Sequence, residues 1–492
     1  MLLTRRECFA AMAIMSVASG CKYVPASDSA SRPVDLGPAS DKTKGGSSMA
    51  PLKNFTPEDF GATGDGRTND TDAFASMTAA VNSVGGGTVL LRKTTYIVGG
   101  HVPDPTGLYA YAPIAIMEFA GCDKALTIIG NGARLRCADG LRFGTFDPST
   151  GLPTQHAMPY YGTGELSSPY AGMISVQNCA GKVHIEDLEL DGNVDGLLIG
   201  GPRGDLGWQM PASGLRLINN LGGEEIVDVH SHHHALDGIY IDGAAERETW
   251  SQLKNVHSEF NARQGCSIVG GRNYSFANCK FNHTGRGRLT SAPSAGVDIE
   301  AETKPVRNLI FAGCEFSNNA GAGMVADSGD SEGATFDDCL FVGTSTWAAW
   351  PAKPHFRFLD CYFVGSICRA FPDPDPERAT QFSRCSFLDD PALSPTNQVF
   401  GGAIANLGGG DSNVLFDGCK FTLKDAAVLP WTLTAKYQDC TMSQAARDQA
   451  YPRGTFTGIN RIDGNVDLYS SKVIGQLTVN GQIVPPTNFI GG

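Results

Sequence analysis

Phe311-Ala-Gly-Cys-Glu-Phe316, Phe336-Asp-Asp-Cys-Leu-Phe341, Phe358-Leu-Asp-Cys-Tyr-Phe363 and Phe382-Ser-Arg-Cys-Ser-Phe387 repeat one phrase. It reads aromatic, two residues that are mostly small or polar, Cys, any residue, aromatic. Phe276-Ala-Asn-Cys-Lys-Phe281 and Phe416-Asp-Gly-Cys-Lys-Phe421 carry it too, and Tyr437-Gln-Asp-Cys-Thr-Met442 closes the series. The cysteines stand at 279, 314, 339, 361, 385, 419 and 440, so successive spacings by subtraction are 35, 25, 22, 24, 34 and 21. Repeats of this period mark a solenoid. The short spacings suit one turn of a parallel β-helix, and the long ones a turn with an inserted loop. Ile185-Glu-Asp-Leu-Glu-Leu190 and Leu253-Lys-Asn-Val-His257 extend the pattern upstream. Strand alternation puts the Cys and the second aromatic on one face. Stacked turns lie about 4.8 Å apart, so the cysteines are expected as an internal column of small buried thiols. The same spacing permits disulfides, the alternative in an exported protein.

Composition narrows the rest. The chain has 492 residues with 60 Gly, 18% charged and 41% hydrophobic, which excludes a charge-rich disordered chain and a coiled coil. A net charge of −13 argues against nucleic acid as a partner, because phosphate neutralisation needs a basic face. Residues 1–20 hold Arg5 and Arg6 before a short apolar run, Phe9 to Val17, which reads as a signal peptide of twin-arginine-like kind. Ala18-Ser19-Gly20-Cys21 is similar to a lipoprotein cleavage box, which implies lipidation at Cys21, with ordinary cleavage and release as the alternative. The chain is then exported, periplasmic or anchored at the outer membrane, and meets a membrane only through that lipid. Residues 21–53, rich in Ser, Ala, Pro, Gly and Lys, read as a flexible tether.

Residues 55–98 open the folded body. Asp70 or Thr71 is placed to cap a helix over about 71–83, with Ala73, Phe74, Met77, Ala80 and Val81 as its apolar stripe. Gly85 to Gly87 end it, and Thr88 to Leu91 begin the first strand. Asp59-Phe-Gly-Ala-Thr-Gly64-Asp-Gly66 followed by Asn69-Asp-Thr71 resembles the start of the pectate-lyase-like superfamily, including its rhamnogalacturonase and epimerase-like members. That superfamily also holds polygalacturonases, polysaccharide lyases and phage tailspikes. The resemblance implies an all-β fold, a right-handed single-stranded parallel β-helix with an N-terminal capping helix, spanning 54–455. It implies a polysaccharide along one long face. Residues 456–492, with an Asn-Gly turn at 480–481, read as a β-rich cap or an oligomerisation tail that permits a homotrimer.

Four turns align on a glycine: Gly238-Ile-Tyr-Ile-Asp242, Gly265-Cys-Ser-Ile-Val269, Gly296-Val-Asp-Ile-Glu300 and Gly323-Met-Val-Ala-Asp327. Positions three and five face outward, so Asp242, Glu300 and Asp327 are expected in one column, with Asp298 beside it. These four are the candidate catalytic residues. A carboxyl whose pKa is raised by its neighbours can protonate a glycosidic oxygen, while another activates water or attacks the sugar. The same oxygens suit a calcium ion or a solvated acidic face. Tyr240, Arg263, Gln264 and Glu302 are candidate substrate contacts. His283, Arg286 and Arg288 are expected in a loop beside the acidic column and, with Lys304, supply the base and cations of a lyase. Trp208, Tyr160, Tyr161, Trp347 and Trp350 are candidate stacking platforms for sugars. His230 and His232 to His234 lack a further motif to complete a metal site, so no metal is assigned there. One of them is expected to serve as an acid or base, oriented by Asp237.

The Asn-Thr-Asp, Asp-Asp, Gly-His-Gly and Arg-Ile-Lys set of polygalacturonases does not occur in order. The leading expectation is a glycoside hydrolase acting on a polysaccharide, with no required cofactor. The alternatives are a lyase or uronate epimerase, with calcium where elimination needs it, and a non-catalytic glycan-binding protein.

Overall fold

The computed structural model describes residues 53–487 apart from 105–106, 108, 155–163, 202–209, 303, 402–412, 425–430 and 446–451. The predicted signal peptide, Cys21, the tether up to residue 52, Tyr160, Tyr161 and Trp208 lie outside the described residues.

Each Phe-x-x-Cys-x-Phe phrase is two strands joined at a corner. In one coil the strands are Phe356–Leu359 and Tyr362–Val364. The third residue of every phrase is left-handed: Asn278, Gly313, Asp338, Asp360, Arg384, Gly418 and Asp439 have φ between 50 and 62°. One left-handed residue resets the alternation, so the first aromatic, the Cys and the second aromatic all face inward. Phe336, Cys339 and Phe341 are accordingly fully buried. Gly, Asn and Asp tolerate this conformation. Arg384 is the exception, and its Nε donates to Asp360 Oδ1 of the preceding coil at 2.8 Å.

Parallel pairing brings like onto like, Phe311 to Phe336 to Phe358 to Phe382. From Phe276 to Tyr437 the rings of the first column stack with centroids 4.4–5.4 Å apart. A second column runs Phe316, Phe341, Phe363, Phe387 and Phe421 at 4.6–5.1 Å. Ring spacing thus follows the strand spacing of about 4.8 Å. All twelve described cysteines are buried and free, so the thiol column stands and the disulfide alternative does not. Each thiol of the column turns to a carbonyl of the preceding coil, as Cys361 Sγ does to Phe336 O at 3.4 Å.

The capping helix is Thr71–Ser83, and it buries Phe74, Met77 and Val81. Asp70 holds the N-cap position, yet its carboxylate makes no cap bond. It accepts instead from the amides of Thr63 and Gly64 at 2.7 and 3.2 Å. Asn69 Nδ2 donates to Gly99 O at 2.8 Å, and Gly99 N donates to Thr71 Oγ1 at 2.8 Å. The N-terminal motif therefore ties its own loop to the first coil. At the other end the parallel ladder runs past residue 455 to Val479, because Ile459–Asp463 pairs with Gln476–Val479. Asn480 and Gly481, both at positive φ, then turn the chain into the antiparallel strand Gln482–Val484.

A second stack of parallel strands carries the aligned glycine frames. In order it contains Met117–Ala120, Gly172–Gln177, Ser213–Ile218, Asp237–Asp242, the start of Gln264–Ala277, Ala295–Ile299, Met324–Ala326 and Ala349–Pro351. Its central outward row is Arg216, Tyr240, Ser267, Asp298, Val325 and Trp350.

Candidate functional site

A cavity of about 300 Å³ opens on this second stack, lined by Arg216, Asp237, Tyr240, Arg263 and Glu302 among others. Asp237 reaches it from the residue before Gly238. A side chain at 238 would meet Ser258 Oγ at 2.0 Å, so only glycine lets the chain pass there and present Asp237 on the cavity side. Asp237 is fully buried. Its Oδ2 lies 3.3 Å from Arg263 Nη1, while Oδ1 has no hydrogen-bond partner among the described residues.

Burial pushes the Asp237 carboxyl up to about 6; Arg263 pulls it down, and Glu302 adds to the rise. Burial, then the charges of Asp242 and Glu302, push the Tyr240 phenol up to about 12. Arg216 lies over the Tyr240 ring at 5.5 Å. A carboxyl of this strength, on a residue that lines a cavity, is suited to proton donation near neutral pH. Two guanidinium groups beside it suit an acidic substituent.

The structure brings Tyr240, Arg263 and Glu302 together in this cavity and leaves the other predicted residues outside its lining. The expected single acidic column does not form. The frames keep register at positions two to four, but a bulge sets Asp242 opposite Gly270 rather than Val269. Asp242 instead pairs with Lys304, Nζ to Oδ1 at 2.9 Å. Asp298 is buried, and Gln264 Nε2 donates to its Oδ2 at 2.6 Å. The amide of Ala295 donates to Gln264 Oε1 at 3.2 Å, so this pair braces the sheet. Glu300 accepts from Ser328 Oγ at 2.8 Å. Beside it lies Lys353, whose pKa burial lowers while Asp327, Asp330 and Glu300 pull it back up.

The loop after Asn282 is not beside the acids. His283 stacks on Phe260 at 4.6 Å and borders a separate shallow cavity with Glu315 and Leu393. Arg286 donates to Asn318 O, Asn319 O, Thr344 Oγ1 and Ser345 Oγ. Arg288 donates to the carbonyls of Asp195 and Leu197, each at 2.8 Å. Their donors hold loops together. Trp350 is buried against Trp347. His234 is buried between Tyr170 OH and Leu190 O, and burial drops its pKa to about 3. That fits packing rather than proton transfer.

Two charged residues of the cavity were not singled out as candidate contacts from the sequence. Asp237 sits one place before the aligned frame begins. Arg216 lies in Gly214-Leu-Arg-Leu, one coil before the first frame aligned, at the register of Tyr240. Extending the alignment by one residue and one coil exposes both.

Residues 172–353 match the family described as right handed beta helix region. A capsule KN3-specific depolymerase of Klebsiella phage KN3-1 is 25% identical over 348 residues. That alignment takes in 63% of this chain and 39% of the depolymerase, so the chain spans about two fifths of that relative's length. Among solved structures, the A-module of the mannuronan C-5 epimerase AlgE4 of Azotobacter vinelandii shares 14% identity. It covers 87% of this chain and 100% of its own, with a TM-score of 0.46. The tailspike gp49 of Acinetobacter baumannii bacteriophage Fri1, a capsular polysaccharide depolymerase, shares 15% identity over 85% of this chain and 64% of its own, with a TM-score of 0.43.

Proposed function

Taking the chain as a right-handed parallel β-helix of pectate-lyase-like kind, we propose that it is an exported enzyme that cleaves an acidic polysaccharide, with Asp237 as its proton donor. The observation that carries this reading is the buried Asp237 carboxyl, raised to about 6, with Oδ1 unpartnered among the described residues and Asp237 lining the cavity. In hydrolysis Asp237 protonates the glycosidic oxygen. Glu302 in the cavity, or Asp242 behind it, activates water or attacks the sugar carbon. Arg216 and Arg263 bind acidic groups on the polymer, and Tyr240 offers its ring. The capsule named for the phage relative supports a bacterial surface polysaccharide as the substrate class. No cofactor is required on this reading.

A second reading is elimination, favoured by the two guanidinium groups in one cavity. They would neutralise a uronate carboxylate while Glu302 takes the proton from the neighbouring carbon and Asp237 protonates the departing glycosidic oxygen, with calcium assisting as a further cation. Exposed Ile459, Ile474 and Ile483 near the C-terminal end support self-association, which light scattering would read as a trimeric mass.

The test incubates the full chain with acidic capsular polysaccharides, with and without calcium. It follows reducing ends and the ultraviolet absorbance of unsaturated uronate together. New reducing ends without absorbance, lost in Asp237→Asn and reduced in Glu302→Gln, are expected. Absorbance rising with the reducing ends would replace hydrolysis by elimination. Full activity in Asp237→Asn would remove Asp237 from either mechanism.

A further inference from the structure

Outside the cavity lining, one set of metal-type ligand atoms converges among the described residues. One atom each from Asp191, His232 and His233 lie within 4.8 Å of one another. Asp191 ends the strand Val183–Asp191, His232 ends Glu224–His232, and the two are register partners on successive coils. His233 follows at φ 54°, a left-handed corner that swings its ring beside that of His232, with planes at 87°. Its other side is held by Phe260, stacked at 5.2 Å.

The hydrogen bonds orient these groups as ligands. His232 Nε2 lies 3.0 Å from Glu189 Oε1, so it carries the proton and donates to that carboxylate. Its Nδ1 is then left with a lone pair, 2.7 Å from His233 Nδ1 and 3.7 Å from Asp191 Oδ1. A carboxylate behind one imidazole nitrogen, with the other facing further ligands, is how metal-binding histidines are held. Asp191 is fixed as well: Asn193 N donates to Oδ1 at 2.8 Å, and Arg134 binds Oδ2. Asp191 and His232 are nearly buried, at 4% and 7% exposure, so the set is built into the fold.

Without a metal, a single proton shared between the two Nδ1 atoms accounts for their approach. Four-coordinate zinc at about 2.0–2.1 Å from each ligand needs neighbouring donors about 3.3 Å apart. The 2.7 Å pair would open by about 0.6 Å, and the 3.7 Å pair would close by about 0.4 Å. Both are within side-chain rotation. Two imidazoles and one carboxylate select a borderline divalent ion; calcium prefers six to eight oxygens. Arg134 and Arg136 flank Asp191, so the fourth position would hold water or a small anion.

We propose that Asp191, His232 and His233 bind one zinc-class divalent cation that joins two successive coils at the corner leading into the Asp237 strand. The proposal does not rest on the polysaccharide reading. The test strips the untagged full chain with chelator and titrates it with Zn²⁺, then with Co²⁺. One tightly held zinc, and the visible absorption of four-coordinate cobalt, are expected. His233→Ala and His232→Gln should each weaken zinc by about tenfold or more. His257→Ala, on the neighbouring strand, should not. His233 is only half-buried, so His233→Ala should keep its metal-free melting point and carries the test should His232→Gln fail to fold. No zinc at micromolar concentration, binding that survives His233→Ala, or loss in His257→Ala alone would overturn the proposal.

Discussion

Asp237→Asn should make the protein more stable and inactive, with a gain in stability that depends on pH. The fold raises this carboxyl from 3.8 to about 6, chiefly by burial. Below pH 3.8 the folded and unfolded chains both carry it neutral, and its burial has no electrostatic cost. As pH rises, the unfolded chain ionises first and stability is lost until the folded form has ionised too, above about 6. The rise from 3.8 to about 6, at 1.36 kcal/mol for each step of one in pH, gives a cost of about 3 kcal/mol near neutral pH and above. Asparagine stands in for the neutral acid at every pH. The variant should match the native protein near pH 4 and exceed it by up to about 3 kcal/mol near pH 8. Arg263 loses its charged partner in the variant, but it lacks that partner in the protonated native state as well, so the comparison already contains this effect. Unfolding midpoints followed by circular dichroism across this range would measure the gap. A gap that is flat with pH, or a variant weakened above pH 6, would refute the reasoning, because Asp237 would then be an ionised partner of Arg263 rather than a neutral acid.

Four further outcomes follow from the same structure. Cleavage should fall as pH rises through about 6, where Asp237 gives up its proton. Arg263→Gln removes the charge that lowers this pKa and should move that limb to higher pH in a rate profile. Arg247 and Glu224 form an ion pair with both side chains fully buried, so Arg247→Ala strands a carboxylate and should cost about 3–5 kcal/mol in denaturant unfolding. The twelve buried thiols of the described residues should resist a water-soluble thiol reagent in the native protein and react together on unfolding, whereas fast labelling at any cysteine other than Cys8 and Cys21 would deny the buried column.

The solenoid was legible because its core repeats letter by letter. Phe-x-x-Cys-x-Phe announces a coil each time, and the Asp59 to Thr71 motif announces the first. The corner inside each phrase was not legible, since Asn, Gly, Asp and Arg share no single signature at its third position. The candidate site was harder to see. Tyr240, Arg263 and Glu302, each a candidate substrate contact, line one cavity, but the carboxylate column assumed unbroken pleating. One extra residue at Val269 displaced Asp242 from Glu300, and no composition signal marks that bulge. Asp298 looked catalytic by its outward position, yet Gln264 folds over it. The histidine run lacked a visible partner because Asp191 stands one whole coil earlier. In this parallel coil, register partners stand from 17 to 57 residues apart in the chain, and the partner at that distance depends on loop lengths that only the fold reveals.

The stacked aromatic column begins at Phe276, level with the last strands that frame the cavity, and continues to Phe456. Each ring there meets a near copy of itself above and below. Recombination between two such phrases would add or delete a whole coil and restore the same ring-on-ring contact at the junction. Each event beyond Phe311 would change the height by about 4.8 Å without touching a residue of the cavity. The far half of this molecule is thus a mast whose length evolution can set by copy number, placing the cavity at a chosen distance from whatever the C-terminal end meets.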